Sequence, residues 1–408
     1  MRSLYVYSLF DDISGRPCCT GIRAGGRTII RDLYRPGSGK TIKTINDAKE
    51  EIKNIILKVN SADKQIVISD FKSHIHHFNL PLFRKAYNVY DMHLPDIKSS
   101  RIQSKDVMVV RKVLDKLERA KPKEYNKIMA NAAVVYESME ENGVLLDYEL
   151  VHPKWSQKTF SGRSKTTGFN IQGTTAKNGI SFSDDENYIF IHFDWICADI
   201  RVASILSGDQ QLRHAFEQSD PYSHMQDILV KRSDGDGEIT RDECKLHLLK
   251  SINSMNTSSI ALDEVYPQLG GWIKKCKQNM RNGDGSLNSM LRRKFKTKYA
   301  KNDLAVLNGI MQGSVAHAMQ IVIRKIWELI DDRLIAEIHD SLVICSRRDP
   351  KSIRSAIDAV APIMLYPFKD VLDSNPSFPL CVSIGKTWKK WVPYLTYRES
   401  GVEDATQK

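Results

Sequence analysis

The sequence predicts an α/β (α+β) protein, and two observations support this fold class. First, strand-like hydrophobic segments at 3–10 and 64–69 lie on either side of an amphipathic helical pattern over Asp47–Val59. This combination predicts an α/β unit of about a hundred residues at the start of the chain. Second, two more strand patterns, at 188–194 and 334–345, each contain an aspartate and are separated by mainly helical sequence.

Helical patterns account for most of the remaining chain. Lys, Glu and aliphatic residues recur at helical spacing over 105–142, and Gly143 follows at the position where a glycine commonly ends a helix. Further helices are predicted at 202–206, at 209–216 and over much of 240–330.

Composition limits the classes of protein that the chain can be. Its 408 residues are enough for two or three compact units, and an excess of 60 Lys and Arg over 49 Asp and Glu gives a net charge of +11. A basic chain favours a polyanionic partner such as nucleic acid, although many basic proteins bind none. The seven cysteines form no CxxC pair, which indicates a reducing compartment.

The sequence carries no membrane or secretion signal that we recognise. No apolar run approaches the roughly 18 residues needed to cross a bilayer, and the start of the chain lacks a signal-peptide pattern. We therefore expect no membrane partner and a cytoplasmic location, in a bacterial or phage-infected host cell, with an organelle as the open alternative. The polar end of the chain, 399–408, is predicted to be disordered.

Two aspartates stand at the ends of hydrophobic strand patterns. Asp194 follows Ile-Phe-Ile-His-Phe, and Asp340 lies in the predicted turn, His339–Ser341, of a hairpin over 334–345. A carboxylate at such a point is costly to desolvate unless it pairs with a cation. Two of them together favour Mg²⁺, which takes oxygen ligands and substrate phosphates, and two such ions support an in-line phosphoryl transfer. The alternative is that each aspartate only caps a turn.

The segment around Asp194 resembles motif A of family A DNA polymerases. In Ile191-His-Phe-Asp194-Trp-Ile-Cys-Ala-Asp199, a strand ends on an aspartate and an acidic residue follows five positions later. Leu206-Ser-Gly-Asp209 matches the Leu-Ser-Gly-Asp of the same motif, and His339-Asp340-Ser341 resembles motif C, whose third residue is normally Glu. Four other segments resemble family motifs in the same order along 155–390: Thr159–Gln172, Asp220–His224, Asn308–Ala316 and Gly385–Trp388.

The resemblance implies a right-hand polymerase, with a palm and fingers that follow an N-terminal RNase H-like/exonuclease-like α/β domain. The ligands of that domain are degenerate, because Asp12-Ile-Ser14 stands where Asp-x-Glu is expected and His74 replaces an Asp, so we expect no proofreading. The implied domains are a degenerate 3′–5′ exonuclease-like domain at 1–100, a helical segment that is a remnant thumb at 101–154, a first palm segment at 155–208, fingers at 209–300, a second palm segment at 301–390 and a tail at 391–408. Since only about a dozen residues separate Asp147 from Thr159, where the family has a long thumb, we expect low processivity or a partner protein that supplies the clamp.

The resemblance also implies roles for individual residues. Asp194 and Asp340 are the expected catalytic residues and the ligands of two Mg²⁺ ions. The residues expected to bind the incoming dNTP are Asp199 beneath its sugar as the steric gate, His224, Arg241 and Lys245 at its triphosphate, and Leu249 on the fingers helix. Those expected to hold the primer terminus and read the minor groove of DNA are Arg163, Asn170, Gln172, Asn308, Gln312 and His339.

The predicted fingers helix departs most from the family pattern. Thr240 and Glu243 predict a capping box at its start, and Arg241 and Lys245 lie four residues apart, on one helical face that suits a triphosphate. The family places an aromatic residue four positions after the Lys, where this chain has Leu249. Because the template-side aromatic is missing, base and sugar selection stay open, and so does an ordinary surface helix.

Three hypotheses about function remain open from the sequence. The first is a template-directed DNA polymerase that adds dNTPs to a primer 3′-hydroxyl by two-metal phosphoryl transfer, with primer-template DNA and dNTPs as its partners. The second keeps the fold but primes, uses ribonucleotides or adds nucleotides without a template. The third is a non-catalytic nucleic-acid-binding subunit of a replication complex.

Overall fold

The structure is a computed structural model that divides into two compact units, Met1–Glu141 and Asn142–Lys408. It describes residues 4–10, 17–24, 27–32, 42–61, 66–68, 89–91, 114, 123–146, 149–157, 159–173, 187–232, 239–254, 259, 261–282, 285–330, 333–388 and 390–404.

The first unit contains a five-stranded mixed sheet. Its described elements are β1 (Leu4–Phe10), β2 (Pro17–Ala24), β3 (Arg27–Asp32), α1 (Ile42–Ser61), β4 (Ile66–Ile68), β5 (Val89–Asp91) and α2 (Glu124–Asn142). The sheet order is β3-β2-β1-β4-β5, with β1, β2 and β3 antiparallel and with β4 and β5 parallel to β1. Ile52 and Ile56, one helical turn apart on α1, are buried, as are Val6 on β1 and Ile66 on β4.

The local predictions for this unit are confirmed where the structure describes them. Strands β1 and β4 lie within the segments predicted as strands, and α1 begins five residues before the predicted start at Asp47. Gly143 follows α2 with φ +66°, a left-handed conformation that glycine adopts without strain. Asp12, Ser14, His74 and Asp147, on which the predictions of a degenerate exonuclease site and a reduced thumb rest, lie outside the described residues.

The second unit is built on a six-stranded antiparallel sheet. The described strands of the whole unit, inside and outside this sheet, are β6 (Val144–Leu146), β7 (Glu149–Val151), β8 (Lys154–Ser156), β9 (Lys165–Thr167), β10 (Tyr188–Trp195), β11 (Ser286–Asn288), β12 (Lys294–Lys296), β13 (Leu334–Ile338), β14 (Ser341–Arg347), β15 (Leu380–Thr387), β16 (Lys390–Arg398) and β17 (Gly401–Asp404). The large sheet has the order β13-β14-β10-β15-β16-β17, and β6–β7, β8–β9 and β11–β12 form separate pairs. The β11–β12 pair interrupts a region whose sequence predicts mainly helix.

The second unit also contains helices, several of which begin with side-chain caps. They are α3 (Ala198–Ser207), α4 (Gln210–Gln218), α5 (Pro221–Arg232), α6 (Arg241–Asn253), a π-helix (Ala261–Val265), α7 (Pro267–Asn282), a 3₁₀ turn (Thr297–Tyr299), α8 (Asp303–Ile330) and α9 (Pro350–Leu365). The Asp209 carboxylate accepts the Leu212 amide at 2.9 Å at the start of α4, and Asp349 accepts the Ser352 amide at 2.9 Å at the start of α9. The predicted capping box at Thr240 and Glu243 is confirmed at the start of α6.

One face of strand β10 packs on α9. The Trp195 indole donates to the Met364 carbonyl at 2.9 Å, and Met364 is buried on α9. Because side chains alternate between the faces of a strand, Asp194 lies on the opposite face of the sheet from Trp195. The position of Asp194 therefore follows from the alternation along β10.

The predicted disorder at the end of the chain is wrong for 401–404. This segment is β17, which pairs with β16 and extends the large sheet. Gly401 has φ +143°, a conformation that favours glycine, between the two strands. Pro393 lies within β16 where the register against β15 shifts, which is a position at which a strand tolerates proline. The prediction failed because the polar tail gains its order from pairing with a strand and not from burial of its own apolar residues.

The long helix α8 forms the core of the second unit. In the described part of the chain it is the one helix that is long and apolar enough to cross a membrane, whereas no apolar run of that length is predicted from the sequence. Because 89% of its most apolar segment is buried inside the protein, the length and apolar character of α8 are also those of a core helix. Gly309 and Gly313 lie one turn apart on α8, where Phe160 and Phe295 pack closely against the helix.

Gly313→Ala is expected to lower the free energy of unfolding by about 1–3 kcal/mol. An added Cβ would lie 2.6 Å from Cζ of Phe295 and 3.0 Å from the Ser161 carbonyl oxygen. The matched control is Gly271→Ala on α7, where nothing lies within 4 Å of an added Cβ. That change should raise the free energy of unfolding by about 0.5–1 kcal/mol through backbone entropy. Urea unfolding of both variants measures the difference, and shifts of the same sign would contradict the close packing at Gly313.

Candidate active site

The sheet brings the two aspartates of the candidate site together. Asp194 on β10 is paired with Ser341 on the neighbouring strand β14 and with Cys381 on the other neighbour, β15. The turn between β13 and β14 consists of His339 and Asp340, and the Trp195 amide donates to the Asp340 carbonyl oxygen at 3.3 Å. The hairpin prediction is thus confirmed, and the two carboxylates lie at one edge of the sheet.

The turn that holds Asp340 uses an unusual backbone conformation. His339 has φ +62°, which is uncommon for a side chain with a Cβ. Ser341, which replaces the family's Glu, is buried, and its hydroxyl donates to the Ile338 carbonyl at 3.1 Å. The Ser341 side chain therefore closes the turn and supplies no carboxylate to the site. The carboxylates next to this turn that remain as candidate metal ligands are those of Asp194 and Asp340.

The electrostatics of the site reflect crowded carboxylates. Burial, and then the negative charge of Asp340, raises the pKa of Asp194 to about 7. Burial also raises the pKa of Asp340, although the charges of Arg163 and His339 oppose this effect. The pKa of Asp199 is raised by burial and by Asp340, against the opposing charge of Arg163. These three carboxylates resist ionisation unless positive charge is supplied.

A divalent cation fits this donor set. Hard cations such as Mg²⁺ take carboxylate oxygens and complete their coordination with water and phosphate, so that one or two protein carboxylates suffice. Within the described residues no cluster of three or more His, Cys, Asp or Glu side chains could hold a metal ion, and therefore the pair Asp194 and Asp340 would have to act alone. The shift of the Asp194 pKa toward neutrality is the kind of strain that a bound cation would relieve.

Arg163 contributes positive charge next to these carboxylates. Its Nη2 donates to both carboxylate oxygens of Asp199, at 3.0 and 3.1 Å. The loop that carries Arg163 is fixed by Gly162, with φ +87°, and by the Thr159 hydroxyl, which donates to the Arg163 carbonyl at 2.7 Å. Arg293 further secures the loop through hydrogen bonds of 2.8 Å and 3.0 Å to the carbonyl oxygens of Ser161 and Phe160.

Two residues expected to contact DNA have structural contacts inside the protein. Gln172 is buried, and its Nε2 donates to the Ser164 hydroxyl at 3.0 Å and to the Glu337 carbonyl at 3.3 Å. Asn170 is exposed, but its Oδ1 accepts from the Thr166 hydroxyl at 3.1 Å and from the Gly173 amide at 3.0 Å. These bonds favour a role in shaping the segment that carries Arg163 over direct contact with nucleic acid.

The predicted minor-groove residues on α8 remain available. Asn308 and Gln312 are half-buried and lie one turn apart on the same face of the helix. No hydrogen bond joins either amide to another residue in the described part of the chain. The two amides can therefore accept or donate hydrogen bonds to a ligand. His339, which is also predicted to read the minor groove, lies outside α8 and is exposed at the hairpin turn, next to Asp340.

A second cluster lies around Asp220, at the start of α5. Its carboxylate accepts from the amides of Tyr222 and Ser223, at 2.9 and 3.2 Å, and from Nε of Arg241 at 3.1 Å. Burial opposes ionisation of Asp220, but these hydrogen bonds prevail and lower its pKa. Arg241 also lies over the Tyr222 ring at 5.3 Å. The start of α6 is thus joined to the segment that carries His224.

The cations of α6 reach the loop that follows Asp194. Burial raises the pKa of the Cys197 thiol to about 11, and the charges of Arg241 and Lys245 oppose that rise. Cys197 lies between Asp194 and Asp199 in the sequence, so the two cations act on the loop that joins these carboxylates. Lys245 is exposed, and Leu249, one turn further along α6, is half-buried. The structure therefore places Arg241 and Lys245 near this loop.

Tyr266 is a site residue that sequence reasoning missed. Its hydroxyl donates to the Pro221 carbonyl at 2.6 Å and lies 3.2 Å from Nδ1 of His224, whose ring stacks on the tyrosine. Burial lowers the pKa of His224. Arg293 and Glu337 were also missed, and no local pattern identifies any of the three because their partners are distant in sequence.

Asp194→Asn is expected to stabilise the metal-free protein at high pH. The pKa of the Asp194 carboxyl is about 7 in the folded protein, whereas its ordinary value is 3.8. Between about pH 4 and 7 the folded protein therefore holds a proton that the unfolded chain has lost. Stability of the wild type therefore falls as pH rises through this window. A shift of this size corresponds to roughly 4 kcal/mol, and partial exposure reduces the expected gain at pH 8 to about 1–3 kcal/mol.

Urea unfolding in the presence of a chelator measures this effect at pH 5 and pH 8. The advantage of Asp194→Asn should be larger at pH 8 than at pH 5. The control is Asp373→Asn, which changes an exposed carboxylate outside the site. An equal effect of Asp194→Asn at the two pH values would contradict the raised pKa.

Comparisons with known proteins identify the fold. No protein-family model matches the chain, and no curated protein matches its sequence. Among solved structures, it resembles the POL domain of Pol1 from M. smegmatis, described in complex with DNA primer-template and dNTP. The TM-score is 0.59 at 12% sequence identity, over 95% of this chain and 96% of that chain. At this identity the likeness concerns the fold alone, and the chain has the fold of a DNA polymerase domain.

Proposed function

We propose that the chain is a template-directed DNA polymerase that adds dNTPs to a primer 3′-hydroxyl. The observation that carries the proposal is the position of Asp194 and Asp340 at one edge of the sheet, in a fold that resembles a DNA polymerase domain. The raised pKa of Asp194 supports the proposal, because functional carboxylates commonly have perturbed pKa values.

Asp194 and Asp340 would hold Mg²⁺ in this function. When bound, two such ions would activate the attacking oxygen and stabilise the leaving oxygen of the phosphoryl transfer. The protein itself would then mainly orient the primer and the nucleotide, since phosphoryl transfer depends on positioning and on neutralisation of charge.

The triphosphate would bind to His224, Arg241 and Lys245. Because the Tyr266 hydroxyl donates to Pro221, Nδ1 of His224 must donate to the tyrosine oxygen, which leaves Nε2 as the remaining polar atom of the ring. Nε2 donates to a phosphate only when the ring is protonated, and the negative charge of a triphosphate favours that form. Arg241 and Lys245 would supply charge-assisted hydrogen bonds from the adjacent helix.

The primer side of the site would use Arg163, Asn308, Gln312 and His339. Asn308 and Gln312 present amides at helical spacing, which suits the acceptors of the DNA minor groove. Asp199, held by Arg163, would lie beneath the sugar of the incoming nucleotide. We further propose that the first unit acts as a scaffold without proofreading, and that a partner protein assists the grip on duplex DNA.

A primer-extension assay tests the proposed function. The wild-type protein is expected to extend a primer with dNTPs on a template in the presence of Mg²⁺, and not to extend a single-stranded primer. Incorporation of NTPs, or extension without a template, would favour the priming or template-independent alternative. If the wild type and Asp194→Asn bind primer-template equally and neither extends it, the non-catalytic hypothesis replaces the proposal.

A further inference from the structure

The C-terminal hairpin formed by β16 and β17 lies beyond the segments that resemble polymerase motifs, which end at Trp388. Strand β16 ends at Arg398, and its guanidinium is buried although arginine is rarely buried without partners. The next residue, Glu399, also makes side-chain contacts with another part of the unit. This hairpin therefore has contacts that β-sheet pairing alone does not require.

The partners of Arg398 are carbonyl groups at the end of α4. Its Nη1 donates to the carbonyl oxygens of Phe216 at 2.9 Å and of Ser219 at 2.6 Å. The last carbonyl groups of a helix lack intrahelical partners and carry partial negative charge, so a buried cation is favourable there. Glu403, on β17, lies 3.5 Å from Nε of the same guanidinium. Arg398 thus binds the end of α4 to the hairpin.

A second connection runs parallel to the first. The Ser377 hydroxyl donates to Glu399 at 3.0 Å, and Arg201 donates to the carbonyl and hydroxyl oxygens of Ser377 at 2.7 and 3.1 Å. The Arg201 guanidinium also lies over the Phe216 ring at 5.2 Å. Both connections converge on Phe216, which is buried at the last turn of α4. The end of this helix is therefore held at two points by the residues that close β16.

The end of α4 leads directly into the nucleotide side of the site. Ser219 is the C-cap of α4, and Asp220 follows it as the acceptor of the Tyr222 and Ser223 amides and of Arg241. A displacement of Ser219 would be transmitted to Asp220 within one peptide unit. It would alter both the Asp220–Arg241 ion pair and the placement of His224, four residues further on.

We propose that Arg398 is a positioning residue for the segment Asp220–His224, and that the C-terminal hairpin braces the triphosphate site. The inference rests on the proposed function of that segment in nucleotide binding. Arg398 does not contact the substrate. It fixes the end of α4, and through it the Asp220 carboxylate that orients Arg241. Loss of this brace should weaken nucleotide binding more than it slows the chemical step.

The test compares Arg398→Ala and Arg398→Lys with a control, Arg348→Ala. Arg348 is exposed and follows the end of β14 that pairs with Tyr188, at the opposite end of β10 from Asp194. Primer extension should show a KM for dNTP about tenfold higher in Arg398→Ala, with kcat and the KM for primer-template within twofold of the wild type. Arg398→Lys keeps the charge and a donor, and should restore most of the affinity. Arg348→Ala should behave as the wild type.

Amide hydrogen exchange supplies a measurement that does not depend on catalysis. In Arg398→Ala, exchange over 215–225 should accelerate while exchange over 303–330, in the core helix α8, stays unchanged. If the wild type incorporates no nucleotide, the proposed function fails, whereas local acceleration over 215–225 would still support the brace. Unchanged exchange over 215–225 together with an unchanged KM for dNTP would overturn the inference.

A milder variant covers the case in which Arg398→Ala does not fold. Glu403→Gln weakens the ion pair that holds the guanidinium but leaves both carbonyl contacts of Arg398 in place. This variant should raise the KM for dNTP about threefold and accelerate exchange over 215–225 to a smaller extent. A wild-type KM and wild-type exchange in Glu403→Gln would then count against the brace.

Discussion

Asp340→Asn is expected to lower nucleotide incorporation by at least about a thousandfold while the protein stays folded. The amide has the shape of the carboxylate but lacks its charge, so a hard divalent cation loses one of its two expected protein ligands. The backbone contact of Asp340, which accepts the Trp195 amide at 3.3 Å, is kept by the substitution. A thousandfold loss corresponds to roughly 4 kcal/mol of transition-state stabilisation.

Single-turnover primer extension with saturating dNTP and Mg²⁺ measures the effect of Asp340→Asn. Asp373→Asn is the matched control, because it removes an exposed carboxylate outside the site and should keep wild-type activity. Circular dichroism and the urea midpoint establish that both variants are folded. Activity of Asp340→Asn within tenfold of the wild type would show that the reaction does not depend on this carboxylate.

The positions of Asp194 and Asp340 were predictable because local patterns encode them. A hydrophobic strand that ends on an aspartate fixes which face of the sheet the carboxylate occupies, and the hairpin around His339 fixes the turn. The strands β10, β13 and β14 confirm both patterns. The capping box of α6 was predictable for the same reason, since its two partners lie three residues apart.

The role of Gln172 was not predictable from its neighbours. A polar side chain in a Ser- and Thr-rich segment has the same local pattern whether it faces solvent or a buried partner. Its actual partner, the Glu337 carbonyl, lies 165 residues away in sequence. The contact of Arg398 with Phe216 spans 182 residues and was equally invisible. Long-range polar contacts of this kind depend on the assembled fold, whereas the alternation along a strand does not.

The order of the tail was also not predictable from its own residues. Residues 399–408 are polar and contain no hydrophobic pattern, so composition alone predicts disorder. The order of β17 comes from backbone pairing with β16, in which Leu395 lies opposite Asp404 and Tyr397 opposite Val402. Strand β16 does have a sequence signal, since it is rich in aromatic and β-branched residues. An edge strand that pairs with it needs little signal of its own.

Lys245→Met is the second change for which we expect a large effect, a fall of about 100-fold in kcat/KM for dNTP. Lys245 is exposed on α6, and its charge reaches Cys197 in the loop between Asp194 and Asp199. A charge-assisted hydrogen bond to a phosphate contributes about 1.5–3 kcal/mol, which is a factor of roughly 10 to 150. Methionine keeps the length and the apolar stem of the side chain, so the loss isolates the charge.

Of Arg241 and Lys245 on α6, Lys245 is expected to give the larger loss of kcat/KM when it is replaced by methionine. Since Arg241 is already paired with Asp220 at 3.1 Å, part of its charge is compensated before any triphosphate binds, and Arg241→Met should therefore cost less than Lys245→Met. The matched control is Lys250→Met, on the same helix but in its last turn, which should change kcat/KM less than twofold. Steady-state kinetics with varied dNTP decide between the residues. Equal losses in Lys245→Met and Lys250→Met would mean that α6 acts through its overall charge, and the triphosphate would then have to bind to another element of the second unit.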